Sequence, residues 1–153
     1  MHMVILLRKY ENDIIGNIVI IKNIIFENKT NNKKEIDHSW NNGRPCLIIY
    51  SDNEWDYFLP MQSTFDRDKY NEKYFEFTDN DILSLYYRCS DLRSAKKIKG
   101  AVNLRSIYKI PISGHDEIGK IKLETYKKII GKFKKLHNNP SLKDILIKSK
   151  TIR

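Results

Sequence analysis

Long apolar runs and paired cysteines are both missing from this sequence. No apolar stretch approaches the roughly 20 residues that a membrane-spanning helix needs, and the apolar part of the N-terminal stretch is too short for a signal peptide. The only two cysteines, Cys46 and Cys89, are interpreted as buried free thiols of a reducing compartment. These features predict a cytoplasmic protein without a membrane span.

Metal-binding and phosphate-loop motifs are lacking as well. The four histidines and two cysteines never fall at ligand spacings, and the six glycines are scattered along the chain instead of clustered. Nucleophile-elbow and kinase signatures do not occur. We therefore expect neither a metal ion nor a cofactor, and ordinary side chains must supply any chemistry.

Positive charge is concentrated in the last part of the chain. The 153 residues are 41% hydrophobic and 31% charged, as in a single globular domain spanning 1–153. Residues 1–92 contain 11 basic and 15 acidic residues, a balance of −4, whereas residues 93–153 contain 17 and 4, a balance of +13. Such a one-sided basic surface favours a polyanion, most often nucleic acid, over a merely lysine-rich surface.

The periodicity of the apolar residues predicts an α+β domain around a mainly antiparallel sheet, with helices at the C-terminus. A long polar loop is predicted over 27–43, and the segments 45–50 and 55–60 are predicted to form a hairpin. The other predicted strands are 4–7, 17–26, 74–78 and 101–111. The predicted helices are 82–92, which follows a capping box at Thr78, 117–136, and a last one that begins at Ser141 and ends near 150.

The segment WNNGRPCLIIY, residues 40–50, combines a polar turn with an apolar strand and holds Arg44 at the mouth of that strand. The next strand ends in the polar cluster Gln62, Ser63 and Thr64. A forked guanidinium beside hydroxyl and amide groups suits an anion such as phosphate. The alternatives are a surface salt bridge for Arg44 and an ordinary strand-end hydroxyl for Ser63.

The predicted helix 117–136 carries an apolar stripe and, opposite it, a face crowded with lysines. Acidic residues are almost absent from that face, so pairing between side chains four residues apart does not explain it. We expect these lysines to contact phosphates, although a charged face is often only the wet side of a helix. The lysines predicted to bind RNA are Lys120, Lys127, Lys128, Lys132, Lys134 and Lys135.

The order of these motifs resembles the toxin endoribonucleases of the MazF/PemK type. The resemblance rests on GNIVI, then GRPCLII, then LPMQST, and it covers roughly residues 17–150. The tail, with VNLRSIYKIPI, TYKKIIGKFKKL and SLKDIL, is more similar to the RNA-antitoxin branch, the type III toxin–antitoxin nucleases of the ToxN, AbiQ and CptN kind, with the CptN group as the nearest match.

That resemblance implies a twisted SH3-like β-barrel core and metal-independent RNA cleavage, in which the 2′-hydroxyl attacks the adjacent phosphate. Arg44 matches the basic position of the family, and Ser63 matches the hydroxyl position, with Thr64 as second choice. Gln62 stands where relatives commonly carry threonine, so it can donate a hydrogen bond but cannot act as a hydroxyl. Trp40 matches an aromatic position and can stack on a base.

Other roles at the implied site stay open. His38 can serve as general acid or base, although it can equally be a solvated loop residue, and Ser63 or a phosphate-assisted route can take the same role. Arg67 and Lys69 can grip a flanking phosphate. His115 and His137 are expected to play no catalytic part.

The resemblance also implies partners. The expected inhibitor is a small, repeat-derived, pseudoknotted RNA antitoxin, held with the toxin in a closed hetero-oligomeric assembly, and the substrate is RNA. One alternative is a non-enzymatic RNA- or DNA-binding module with an SH3-like core. Another is a MazF-type toxin that a protein partner inhibits.

Overall fold

A computed structural model of the protein describes residues 9–10, 13–21, 25–28, 33–36, 44–62, 71–85, 100–112 and 114–151. Most of these residues form strands. In chain order the strands are β1 (Asn17–Ile21), β2 (Ile25–Asn28), β3 (Lys33–Ile36), β4 (Arg44–Ser51), β5 (Trp55–Gln62), β6 (Tyr74–Glu76), β7 (Ile82–Leu85), β8 (Ala101–Asn103), β9 (Tyr108–Pro111), β10 (Asp116–Ile121) and β11 (Lys150–Thr151). The helices are α1 (Leu123–Leu136) and α2 (Leu142–Ile147), and short 3-10 turns cover Asn71–Lys73 and Asp79–Asp81.

Nine of these described strands form one sheet with the central order β11-β9-β5-β4-β1-β10-β7. Strand β8 pairs with β5 and β6, and the pairing of β11 with β9 is parallel while the other pairs in this sheet are antiparallel. Strands β2 and β3 form a separate antiparallel pair. The α+β class and the mainly antiparallel sheet are thereby confirmed. Neither α1 nor α2 is long and apolar enough to cross a membrane.

The sheet curls into a half-barrel because the connection between β9 and β10 is short. Those strands lie four strand spacings apart, about 19 Å in a flat sheet. Only four residues separate Pro111 from Asp116, which extends to about 17 Å at most. In addition, Pro111 pairs with Trp55, whereas Asp116 pairs with β1 opposite the far end of the β4–β5 hairpin. Curling brings the two ends together.

The two faces of the sheet bury two apolar clusters of unequal size. The large core includes Leu47, Leu59 and Ile121, and α1 covers it with Ile129 and Phe133. The small core lies on the other face, since alternate residues of a strand point to opposite sides. Its members are Val19, Ile21, Cys46, Ile48 and Phe58, with Ile14, Tyr108 and Ile110 against them.

The hairpin predicted from 45–50 and 55–60 is confirmed, and both strands are longer than expected. Cys46 pairs with Pro60 and Ser51 with Asp56. Local signals were sufficient here, because the turn residues and the apolar runs on either side lie within 20 residues of one another.

The predicted helix 117–136 is wrong at its beginning. Residues Asp116–Ile121 form β10, which is held between β1 and β7, and the helix begins only at Leu123. Ile118 and Ile121 fit the apolar stripe of a helix, but they are buried here by strand neighbours on both sides. Long-range pairing has therefore overridden the local periodicity.

Further boundaries differ from the predictions for the same reason. The predicted helix 82–92 is wrong over Ile82–Leu85, which form β7 beside β10, and the predicted loop 27–43 contains β3. The predicted strand 17–26 is divided between β1 and β2, and 101–111 between β8 and β9. Strand 74–78 is confirmed but ends at Glu76. The predicted strand 4–7 and residues 86–92 lie outside the described residues.

The predicted helix ends and turns are confirmed. The backbone N–H of Thr78 donates to Asp81 Oδ2 at 2.7 Å, which closes a 3-10 turn instead of a helix. Ser141 caps α2 by accepting a hydrogen bond from the Asp144 N–H at 3.2 Å. Asn138 and Asn139 end α1 with positive φ angles of 65° and 53°, a conformation that asparagine tolerates better than most residues.

The chain before β1 is fixed to the sheet by a buried lysine and a tyrosine. The ammonium of Lys120, only 1% exposed, donates to the carbonyl oxygens of Asp13 at 2.7 Å and Ile15 at 2.8 Å and to Asn17 Oδ1 at 3.3 Å. It also lies 4.3 Å from the ring centroid of Tyr10. We call these five residues the lysine anchor. Gly16 lies inside it with φ of 85°, and a Cβ there would overlap the Tyr10 side chain.

Two buried tyrosine hydroxyls give the fold a predicted sensitivity to alkali. Tyr10 donates to the Ile121 carbonyl at 2.8 Å and Tyr126 to the Ile49 carbonyl at 2.6 Å. Burial raises the pKa of Tyr126 to about 12 and raises the pKa of Tyr10 further. Because the folded-state pKa values are raised, the stability that these hydroxyls contribute is fully present below the unfolded value near 10 and is lost as pH rises through about 12.

We therefore expect some of the nine tyrosines to ionise only as the fold is lost near pH 12. Absorbance at 295 nm and circular dichroism, followed together from pH 8 to 13, measure ionisation and folding in one titration. In Tyr126→Phe the late fraction should shrink. Complete ionisation near pH 10 with the fold intact would contradict this prediction.

Candidate functional site

Arg44 and Gln62 lie at the open end of the β4–β5 hairpin. Arg44 is the first residue of β4 and pairs with Ile21 of β1, while Gln62 is the last residue of β5. Cys46 pairs with Pro60, so extending this register by two residues sets Arg44 opposite Gln62. Partners in a register share a face, and both side chains therefore belong to the face of the small core.

The row that contains Arg44 and Gln62 continues onto two more strands. Gln62 pairs with Ala101 of β8, and Ala101 pairs with Glu76 of β6. The small side chain of Ala101 leaves space between its longer neighbours in this row. Asn103, two residues along β8, donates from Nδ2 to Gln62 Oε1 at 3.4 Å and so orients the amide.

Sequence reasoning missed Glu76, Ala101 and Asn103 as neighbours of this row. They reach it through the pairings of β5 with β8 and of β8 with β6, which join segments 25 to 40 residues apart in the chain. The polar character of Asn103 at the end of a short strand is the one local signal that could have drawn attention to it. We call Arg44, Gln62, Ala101, Asn103 and Glu76 the hairpin-end row.

Several predicted site residues lie outside the described residues. Ser63 directly follows Gln62 in the chain, which ties its backbone to the end of β5. The predicted residues for which no position is described are His38, Trp40, Ser63, Thr64, Arg67 and Lys69.

The lysines of α1 are divided between solvent and the protein itself. Lys127, Lys128 and Lys135 are exposed and Lys134 is half-buried. Lys132 folds back over the chain before β6, where its ammonium donates to the carbonyl oxygens of Asn71, at 2.9 Å, and Tyr74. An ammonium has three donors, so two of those of Lys132 are engaged in joining α1 to that segment.

The prediction that Lys120 contacts RNA is wrong. Lys120 lies in β10 and not on α1, and all three of its donors are engaged within the lysine anchor. At 1% exposure its ammonium has no surface to offer a ligand. The exposed basic face of α1 thus begins after this residue.

Cys46 is a buried free thiol, as predicted, whereas Cys89 lies outside the described residues. Desolvation raises the pKa of the Cys46 thiol well above its usual range, and the nearby Arg44 lowers it only in part. A thiol with so high a pKa is not a nucleophile at neutral pH. Within the described ranges, no group of three or more His, Cys, Asp or Glu side chains is arranged to hold a metal ion.

Comparison with known proteins leaves the chain on its own. No protein-family model matches it, and no curated protein matches it at a significant level.

Proposed function

We propose that the chain is a metal-independent endoribonuclease toxin of a type III toxin–antitoxin system, with a sequence preference for its RNA substrate. The observation that supports this most is the juxtaposition of Arg44 and Gln62 at one end of the sheet. A cationic fork and an amide donor are what a phosphodiester oxygen requires, and Ser63 is the next residue of the chain.

The proposed reaction is attack of the substrate's 2′-hydroxyl on the adjacent phosphorus, which yields a 2′,3′-cyclic phosphate and a free 5′-hydroxyl. Charge builds on the non-bridging oxygens in the transition state, and donors fixed in advance stabilise it there. Arg44 and Gln62 are both anchored by strand pairing, and Asn103 holds the Gln62 amide. Such preorganised donors cost little reorganisation during the reaction.

The exposed lysines of α1 support a role in holding RNA. Lys127, Lys128 and Lys135 point to solvent on a helix whose described acidic residue is Glu124, in the first turn. A cluster of that kind binds phosphates independently of sequence. We propose that this surface holds a small structured RNA antitoxin, as well as substrate RNA, in a hetero-oligomeric assembly.

The finer fold assignment and the location belong to the same proposal. A curled antiparallel half-barrel supports an SH3-like core of the MazF/PemK type. We further propose that residues 1–153 act as one toxin domain in the cytoplasm.

Incubation of the purified protein with total RNA in excess EDTA tests the proposed activity. We expect cleavage to persist, because ordinary side chains supply the donors, and the products should carry 2′,3′-cyclic phosphate and 5′-hydroxyl ends. Resistance of the 3′ fragments to 5′-end labelling until the enzyme's products are shown to be hydroxylated is not needed, since kinase labels a 5′-hydroxyl directly. Cleavage that disappears with EDTA and returns with magnesium would contradict the mechanism.

A non-enzymatic nucleic-acid-binding module is the second candidate, and the exposed lysines of α1 favour it to the same degree. It predicts RNA binding that weakens steeply with salt, without any cleavage. In Lys127→Gln, Lys128→Gln and Lys135→Gln combined, the salt dependence should become shallower under either function. Intact RNA after prolonged incubation with wild-type protein would favour the module over the nuclease.

A further inference from the structure

A histidine and an aspartate meet in the interior, outside the hairpin-end row. Asp56 of β5 is 1% exposed, and its Oδ2 lies 3.4 Å from Nε2 of His115, whose side chain is 6% exposed. The other carboxylate oxygen, Oδ1, accepts a hydrogen bond from Ser51 Oγ at 2.7 Å. Within the described residues, Asp56 Oδ2 and His115 Nε2 have no hydrogen-bond partner.

Such a pair is costly if its role is only structural. A buried polar atom without a hydrogen bond costs about 1–3 kcal/mol. The same protein satisfies its buried Lys120 with three acceptors, which shows how a structural charge is held in this fold. Hydrogen bonds between catalytic groups, by contrast, are often long before substrate binds and tighten in the complex.

The pair lies on the face of the small core, where Arg44 also lies. Asp56 alternates with Phe58 along β5 and therefore points to that face. His115 comes directly before Asp116, which pairs with Ile20, and Ile20 pairs with Pro45. Asp116 and Pro45 are thus two strand spacings apart, about 10 Å.

Their chain neighbours, His115 and Arg44, continue these strands at the same end of the sheet. An arginine side chain spans much of such a gap, so one phosphodiester can lie between the guanidinium and the imidazole. The sequence separation of 71 residues between them explains why sequence reasoning set His115 aside.

We propose that His115 is the general acid of the reaction and that Asp56 is its positioning residue, an inference that rests on the proposed nuclease function. The 2′-oxygen forms a bond to phosphorus while its proton passes to solvent water. The bond from phosphorus to the 5′-oxygen breaks with its electron pair, and the imidazolium of His115 donates a proton to that oxygen. Water then reprotonates the ring, and Asp56, fixed by Ser51, holds it in place.

A leaving-group experiment tests this assignment. Two RNA oligonucleotides carry the linkage that wild-type protein cleaves, one with the natural 5′-oxygen and one with a 5′-bridging sulfur. We expect His115→Gln and His115→Ala to cleave the oxygen substrate about 100-fold or more slowly than wild type. Both should approach the wild-type rate on the sulfur substrate, because a thiolate leaves without a proton.

Matched variants separate catalysis from folding. Asp56→Asn keeps a partner for the Ser51 hydroxyl and should be slower on oxygen, partly restored on sulfur, and altered in the acidic limb of its pH–rate profile. His137→Gln alters a histidine that bonds the Leu104 carbonyl at 2.7 Å and should affect both substrates equally. Arg44→Ala should be slow on both, since the non-bridging oxygens are unchanged.

The outcomes distinguish the two proposals. If wild type cleaves RNA and the His115 variants cleave the oxygen substrate normally, or stay slow on sulfur, His115 is not the acid although the nuclease function stands. If wild type cleaves neither substrate, the proposed function fails and the assignment of His115 fails with it.

Discussion

Replacing Lys120 by methionine is expected to lower the free energy of unfolding by about 3–5 kcal/mol, the range seen when one partner of a buried charged contact is removed. Methionine has a similar length, so the core stays filled while the ammonium is lost. The carbonyl oxygens of Asp13 and Ile15 and the side chain of Asn17 then lose a shared donor in a buried place. Domains of this kind are stable by only about 5–15 kcal/mol in total.

Urea unfolding followed by circular dichroism measures the effect, with Lys127→Met as the matched control. Lys127 is exposed on α1, and its replacement should change stability by no more than about 0.5 kcal/mol. A loss below about 1 kcal/mol in Lys120→Met would show that the three acceptors find other partners. The two variants remove the same charge, so their difference reports on burial alone.

Lys120 also illustrates why part of the fold could not be read from the sequence. On a helical projection its side chain falls on the wet face with the other lysines, and Ile118 and Ile121 fall on the apolar one. The alternation of a strand fits the same few residues equally well. What decides between them is β1 on one side and β7 on the other, and neither partner is visible locally.

Features with local causes were predictable. The β4–β5 hairpin follows from turn residues between two apolar runs, and the caps at Thr78 and Ser141 follow from side chains that reach backbone groups three residues away. The lower half of the basic helix was also correct, because from Leu123 onward the apolar stripe reaches the large core. These elements are set by contacts close in the chain.

The candidate site divides along the same line. Arg44 and Gln62 could be expected to lie together, since one hairpin carries both. Asn103 and Glu76 could not, because β8 and β6 join the row through distant pairings. His115 and Asp56 were hidden for the same reason, and a histidine beside a glycine and an aspartate has no local pattern that indicates a buried partner.

Arg44→Ala is expected to lower the rate of RNA cleavage by about 10²–10³-fold, the loss typical when one preorganised donor to a developing oxyanion is removed. Arg44 is half-buried at the first position of β4, with its backbone fixed against Ile21. Stability should change little, because the apolar part of β4 begins two residues later at Cys46. Single-turnover cleavage of a defined oligonucleotide measures the chemical step, and thermal unfolding verifies the fold.

The companion variants Arg44→Lys and Gln62→Ala define what the guanidinium contributes. Lysine keeps the charge but loses the fork, so its rate should fall between those of wild type and Arg44→Ala if two donors engage one phosphate. A rate equal to wild type in Arg44→Lys would mean that charge alone is needed. Gln62→Ala removes a neutral donor and should cost less, since hydrogen bonds from charged groups are roughly twice as strong. Normal cleavage by both alanine variants would place the reacting phosphate away from the hairpin-end row.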